Sequence, residues 1–319
     1  MQKIFVTGGA GFIGSHLSEA LLGQGNEVIC LDNFNGYYAP QIKRRNIAAL
    51  LEHRKFSLLE QDILDLEFLK EYFGGAKIDI VVHLAARAGV RPSIQMPLLY
   101  QKVNVEGTNN LLEVSKDAGV DKFIFASSSS VYGANEKVPF SEDDFVDNPI
   151  SPYASTKKAG ELICYTYAHL YKLPITCLRF FTVYGPRQRP DMAIHKFTKA
   201  IYNNSKITMY GDGCSRRDYT FITDVIDGIL KSIDHCHDYH VYNLGESKTI
   251  ELRKLIDLIA DCTGRKPEVE FLPNQPGDVP ITYADITRAQ TEIGYQPSVG
   301  IEQGLEKFVK WFTEIENLL

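Results

Sequence analysis

Long apolar runs are missing from this 319-residue chain. None approaches the ~18 residues that a bilayer-spanning helix requires, so no membrane span is expected. The opening Met1-Gln2-Lys3-Ile4-Phe5-Val6-Thr7-Gly8 is too short and too soon broken by glycine to read as a secretory signal. A cationic surplus is missing as well. Lys and Arg number 34 against 40 Asp and Glu, a net charge of −6, which argues against a phosphate-backbone partner and so against nucleic acid. Cysteine is sparse, at Cys30, Cys164, Cys177, Cys214, Cys236 and Cys262, and no two form a C-x-x-C pair. They read as reduced thiols of a cytoplasmic protein. His235, Cys236, His237, Asp238 and His240 cluster, but no second pair completes a tetrahedral site, so they read as a polar connection and no metal is expected. Internal repeats and low-complexity tracts are absent too.

What is present is alternation. Short runs rich in Ile, Val, Leu and Phe at 3–7, 27–31, 56–60, 78–84, 122–126 and 175–180 predict buried strands. Helical patterns fall between them, at 11–23, 66–73, 98–118 and 152–171. Strand–helix alternation over ~180 residues predicts α/β architecture: a Rossmann-type, doubly wound parallel sheet with its ligand crevice at the carboxyl ends of the strands. After residue 180 the texture changes. Helices are predicted at 195–203, 223–233, 250–263 and 300–318, with strands at 207–210 and 241–244. Residues 1–178 are therefore expected to form the dinucleotide domain, with segments near 221–245 returning to it. Residues 179–319 should mainly form a smaller, mixed α/β substrate domain. The Pro- and Gly-rich stretch 272–280 is expected to be a loop lining a site.

The first predicted strand runs into Gly8-Gly9-Ala10-Gly11-Phe12-Ile13-Gly14. Gly8 suits a tight turn, Gly11 a close approach of backbone to pyrophosphate, and Gly14 close packing of helix on strand. The second strand ends at Asp32, whose carboxylate can hold both ribose hydroxyls of NAD and would repel the 2′-phosphate of NADP. Asn33, not arginine, follows it. Asp62 with Ile63, and Leu84-Ala85-Ala86 after His83, follow two further strands and are expected along the same cofactor.

A serine run, Ser127-Ser128-Ser129-Ser130, follows the fifth strand. Tyr153 and Lys157 then stand four apart, on one face of a helix. An ammonium beside a phenol favours phenolate, which would make Tyr153 a general base. Ser128 could hold a substrate hydroxyl and relay its proton.

With these motifs the chain resembles the extended short-chain dehydrogenase/reductases, and among them the nucleotide-sugar epimerases. The resemblance spans nearly the whole length, through residues 7–14, 83–86, 104, 127–133, 153, 157, 179–190, 211–218, 275–279 and 283–285. It implies a tightly held NAD that oxidises C4 of a UDP-sugar and reduces it again from the other face, with no net redox. It adds Asn104 to the cofactor residues. Sister dehydratases carry an Asp-Glu pair where Ser129 and Ser130 stand, and UDP-glucuronate decarboxylases carry Glu at the position of Ser130. Stretches 32–38, 88–91 and 179–192 look most like UDP-glucuronate 4-epimerases. The substrate residues implied are Ser128, Ser129, Ser130, Arg91, Thr182, Arg189, Arg217 and Asp278. The family's diphosphate arginine matches Arg217, whereas Gln275 and Thr182 depart from the arginine and asparagine that many epimerases place there. The expected reaction is UDP-glucuronate to UDP-galacturonate. The alternatives are 4-epimerisation of UDP-glucose or UDP-N-acetylglucosamine, decarboxylation, or a non-catalytic NAD-binding regulator. A homodimer is implied, paired through the helices at 98–118 and 152–171.

Overall fold

The computed structural model describes residues 1–273 and 279–316. Seven parallel strands form the central sheet: β1 (Lys3–Thr7), β2 (Glu27–Leu31), β3 (Phe56–Leu59), β4 (Ile80–His83), β5 (Lys122–Ser128), β6 (Ile175–Phe180) and a seventh, Tyr239–Leu244. Their order from one edge is Tyr239–Leu244, β6, β5, β4, β1, β2, β3. The alternation of side chains explains why these runs are apolar throughout. Ile4, Val6, Val28, Cys30, Val82 and Ile124 enter the core on one face. Phe5, Ile29, Val81, Phe123 and Phe125 enter a second core on the other. A parallel sheet covered on both faces leaves no side of such a strand for polar residues.

Helices Phe12–Gly23, Leu66–Gly75 and Pro152–Tyr171 follow the sequence expectation closely. The last begins at Pro152, where proline has no N–H to leave unpaired, behind Ser151, whose hydroxyl accepts from the Ala154 N–H. The helix expected at 98–118 is instead three pieces: Pro97–Gln101, a π-helical turn Lys102–Glu106, and Gly107–Asp117. β5 runs two residues further than expected, to Ser128, while β3 and β4 are shorter than the apolar runs that predicted them. Residues 250–251 are a short strand, so the expected 250–263 helix starts at Leu252.

The strand order reverses between β1 and β4, both of which chain onwards in opposite directions, and a crevice opens there at the carboxyl ends. Beyond β6 the chain builds three two-stranded sheets and helices Ala193–Tyr202, Leu252–Thr263 and Ile301–Glu316. Helix Ile222–Asp234 and strand Tyr239–Leu244 return to the main sheet, the strand pairing with β6. The His235–Asp238 stretch is the connection between those two elements. No helix among the described residues is long and apolar enough to cross a membrane.

Candidate active site

A cleft of about 290 Å³ lies along the carboxyl edge of the sheet. Its lining includes Gly8, Gly11, Phe12, Ile13, Gly14, Asp32, Asn33, Asp62, Ile63, Leu84, Ala85 and Ala86 at one end and Tyr153, Lys157 and Arg189 at the other. The sequence thus gathers into one cavity residues spread over 180 positions.

The glycine turn is shaped by close approach. Gly8 has φ +67°, in the left-handed region, and its N–H donates to the Leu31 carbonyl at 2.7 Å. A Cβ on Gly14 would lie 2.3 Å from the Gly8 carbonyl oxygen, so any larger residue would push helix Phe12–Gly23 off β1. That helix begins behind Gly11, which offers no side chain to its first-turn N–H groups. A helix start of this kind suits a phosphate.

Asp32 is buried at the end of β2 and accepts from the Phe34 N–H at 2.9 Å. Lys43 reaches it from helix Pro40–Ile47, with Nζ 2.9 Å from Oδ1. Neither that helix nor its ion pair is apparent in the sequence, where eleven residues separate the two charges. Asn33 donates to Asp62 at 2.7 Å, closing a polar rim. These donors and acceptors, with the cradle that a Cβ would fill, fit an NAD adenosine and pyrophosphate. His83 is buried between the hydroxyls of Thr7 and Thr108, at 2.8 and 3.0 Å. Burial and the nearby Lys157 charge lower its pKa to about 3, so it is a neutral structural residue.

At the other end, Lys157 is 5% exposed and donates to the Ala126 carbonyl at 2.7 Å. Burial lowers its pKa to about 8. Tyr153 departs from the expected lowered phenol. Burial raises it, against the opposing pull of the Ser128 hydrogen bond and the Arg189 charge. Desolvation of the phenolate outweighs its neighbours while the ammonium is aimed at a backbone carbonyl.

Arg189 lines the cleft but is engaged. Its Nε and Nη2 each lie 2.9 Å from the two oxygens of Asp191. Burial opposes its charge, yet the Asp191 carboxylate holds the guanidinium firmly protonated. Tyr37 joins this group: its hydroxyl donates to the Ala88 carbonyl at 2.9 Å, and the Arg189 guanidinium lies 5.6 Å from its ring centre. Asp191 and Tyr37 are site residues that sequence reasoning missed.

Asn104 lies in the π-helical turn, buried behind the wall. Its amide brackets the Arg87 backbone, accepting at 2.7 Å and donating at 3.0 Å, and donates to Thr156 at 3.0 Å. It thereby ties the wall of the cleft to the Tyr153 helix without lining the cavity. Ser129 and Ser130 open a short turn, Ser129–Tyr132, directly after β5. Thr182 opens strand Thr182–Tyr184 after the neighbouring β6, and Ser128 pairs in register with Phe180. The four hydroxyls thus stand at the ends of two adjacent strands, and none is among the residues lining the cavity. Arg91 sits apart, 4.5 Å over the Tyr210 ring, and Arg217 lies in the short strand Arg216–Arg217. Neither lines the cavity. Asp278 and Gln275 lie outside the described residues.

A dinucleotide cleft on a Rossmann sheet, with tyrosine, lysine and serine at its closed end, defines an NAD-dependent enzyme of the extended short-chain dehydrogenase/reductase class. The chain belongs to the family whose model is described as GDP-mannose 4,6 dehydratase, which matches residues 5–308. The UDP-glucuronate 4-epimerase of Thermodesulfobacterium geofontis is 43% identical over 320 residues, covering 100% of this chain and 98% of that protein. The crystal structure of UDP-glucuronic acid 4-epimerase from Bacillus cereus, in complex with UDP-glucuronic acid and NAD, superposes with a TM-score of 0.93 at 38% identity, covering 98% and 99% of the two chains. The UDP-glucose 4-epimerase of Thermotoga maritima with UDP-glucose gives 0.91 at 35% identity, covering 98% and 99%.

Proposed function

We propose that this protein is an NAD-dependent UDP-sugar 4-epimerase, acting on UDP-glucuronate to give UDP-galacturonate. One observation supports the reaction above others: Tyr153 and Lys157 line the cleft with Ala126 and Ser127 of β5, and the positions that follow β5 are Ser129 and Ser130, not carboxylates. The acids lining the cleft at the glycine-turn end are Asp32 and Asp62. The dehydratases and decarboxylases that the chain resembles carry carboxylates at these positions, and this chain carries serines.

NAD bound along the glycine turn would supply a reversible hydride acceptor and a positive charge close to the phenol. Tyr153 accepts the C4 hydroxyl proton, directly or through Ser128, and returns it after the sugar has turned over. With NAD bound, Lys157, charged below about pH 8, would hold the nicotinamide ribose and its charge would favour the phenolate. Ser129, Ser130 and Thr182 offer hydroxyls to the C6 carboxylate and hold its C–C bond away from the alignment that releases CO₂. Arg217 is the residue proposed to serve the substrate diphosphate.

Incubation with UDP-glucuronate, UDP-glucose and UDP-N-acetylglucosamine, with C4 epimers resolved by NMR, tests this reading. Turnover of the glucuronate without CO₂ is expected. Turnover of the neutral sugars alone would replace it with the second reading, which the Thermotoga maritima structure favours.

The subunit is inferred to pair with a second copy. Leu98 is 83% exposed, and Leu162, Tyr165, Leu170 and Tyr171 are exposed on helix Pro152–Tyr171. A dimer mass by light scattering is expected, and a monomer would remove the inference. The six free thiols suit a reducing compartment such as the cytoplasm.

A further inference from the structure

Helix Pro152–Tyr171 carries a third polar residue on the face that bears Tyr153 and Lys157. Glu161 follows at the next four-residue step, about 6 Å along the axis from Lys157 and about 12 Å from Tyr153. It is 2% exposed. Its Oε1 accepts from the Ser127 hydroxyl at 2.6 Å and from Arg179 Nε at 2.9 Å, and its Oε2 accepts from Arg179 Nη2 at 2.9 Å. Ser127 on β5 and Arg179 on β6 are register partners. Arg179 also pairs in register with Asn243 of the seventh strand and donates to the Tyr132 hydroxyl at 3.1 Å. That hydroxyl donates to Asn243 Oδ1 at 2.7 Å.

A row of buried polar groups therefore crosses three strands at the carboxyl edge and is caught by one carboxylate on the helix. Apolar contacts alone would hold the helix on the sheet, but they resist sliding only weakly. A bidentate guanidinium–carboxylate pair is directional, and an apolar pair of equal volume would often be as stable. We infer that the Glu161–Arg179 pair, with Ser127, is a positioning clamp that sets the height of Tyr153 and Lys157 against Ser128 and the cleft. This rests on Tyr153 being the base of the proposed reaction. Ser127 lines the cleft together with Tyr153 and is adjacent in chain to Ser128, so the clamp holds the strand end that faces the tyrosine.

The test is the double variant Glu161→Leu/Arg179→Met in the full chain. A folded, NAD-binding protein is expected, with kcat down about 10–100-fold and KM for the UDP-sugar unchanged, as for a misplacement near 1 Å. Native kcat in the folded double variant would overturn the clamp. Should the double variant not fold, Arg179→Lys decides: it keeps the charge and loses the fork, and a tenfold loss of kcat at constant KM is expected, whereas native kcat overturns the inference. Tyr153→Phe is measured alongside. If it retains activity, the proposed mechanism has failed. If it is inactive while the clamp variants are fully active, only the clamp has failed.

Discussion

Lys43 Nζ and Asp32 Oδ1 are 2.9 Å apart and both residues are buried, so the carboxylate that ends β2 is already neutralised by the chain itself. Removing one partner of such a pair leaves the other charge unmatched in a low-dielectric site. Lys43→Met is expected to lose roughly 3–5 kcal/mol of stability, measured by urea unfolding of the cofactor-free protein. A loss below about 1 kcal/mol would show that water or backbone replaces the ammonium.

Tyr153→Phe removes the group proposed as the general base. A fall in kcat of about 10²–10⁴-fold is expected, with NAD affinity held within a factor of about two. Substrate deuterated at C4 should give product that keeps its label in the native protein. Loss of the label to solvent would refute return of the same hydrogen.

The lysine makes a prediction about stability. Burial lowers Lys157 from 10.5 to about 8. Between those values the unfolded chain binds the proton that the folded chain has lost, so this group's contribution makes stability rise with pH through that window. Below about pH 8 both states are charged and the folded state carries the desolvation penalty. In Lys157→Met that slope should vanish, while activity is lost. An unchanged slope between pH 8 and 10.5, followed by urea midpoints, would assign it to another group.

Gly14→Ala tests the cradle. The added carbon would lie 2.3 Å from the Gly8 carbonyl oxygen and 2.7 Å from the Gly9 Cα, both backbone atoms that cannot rotate away. Destabilisation of about 1–3 kcal/mol is expected from overpacking. NAD affinity, read by isothermal titration, should fall at least tenfold. Native affinity would mean that the turn relaxes.

The parts of the fold that depend on local pattern are legible in the sequence. β1, β2 and β6 and helix Pro152–Tyr171 have the bounds that their apolar runs predict. The gathering of Gly8, Gly14, Asp32, Tyr153 and Lys157 in one cleft follows from strand order alone. Strands such as Arg216–Arg217 and Ile250–Glu251 are two residues long, and Tyr219–Phe221 is three. Such pieces have no period to detect and exist because a distant partner supplies their hydrogen bonds. The same holds for Glu161 with Arg179 and for Lys43 with Asp32. The raised phenol of Tyr153 was also out of reach, because it depends on how much water reaches the ring and on Lys157 pointing at Ala126.

The widened turn at Lys102–Glu106 accommodates one residue more than a regular helix would over the same span. Excising a single residue there would let the coil close to its usual pitch over the same span, with the segments on either side keeping their phase and only the widening that carries Asn104 lost. A surplus residue, which a scan for helical periodicity reads as an interruption, is thus what aims the peg that fastens the cleft wall to its catalytic helix.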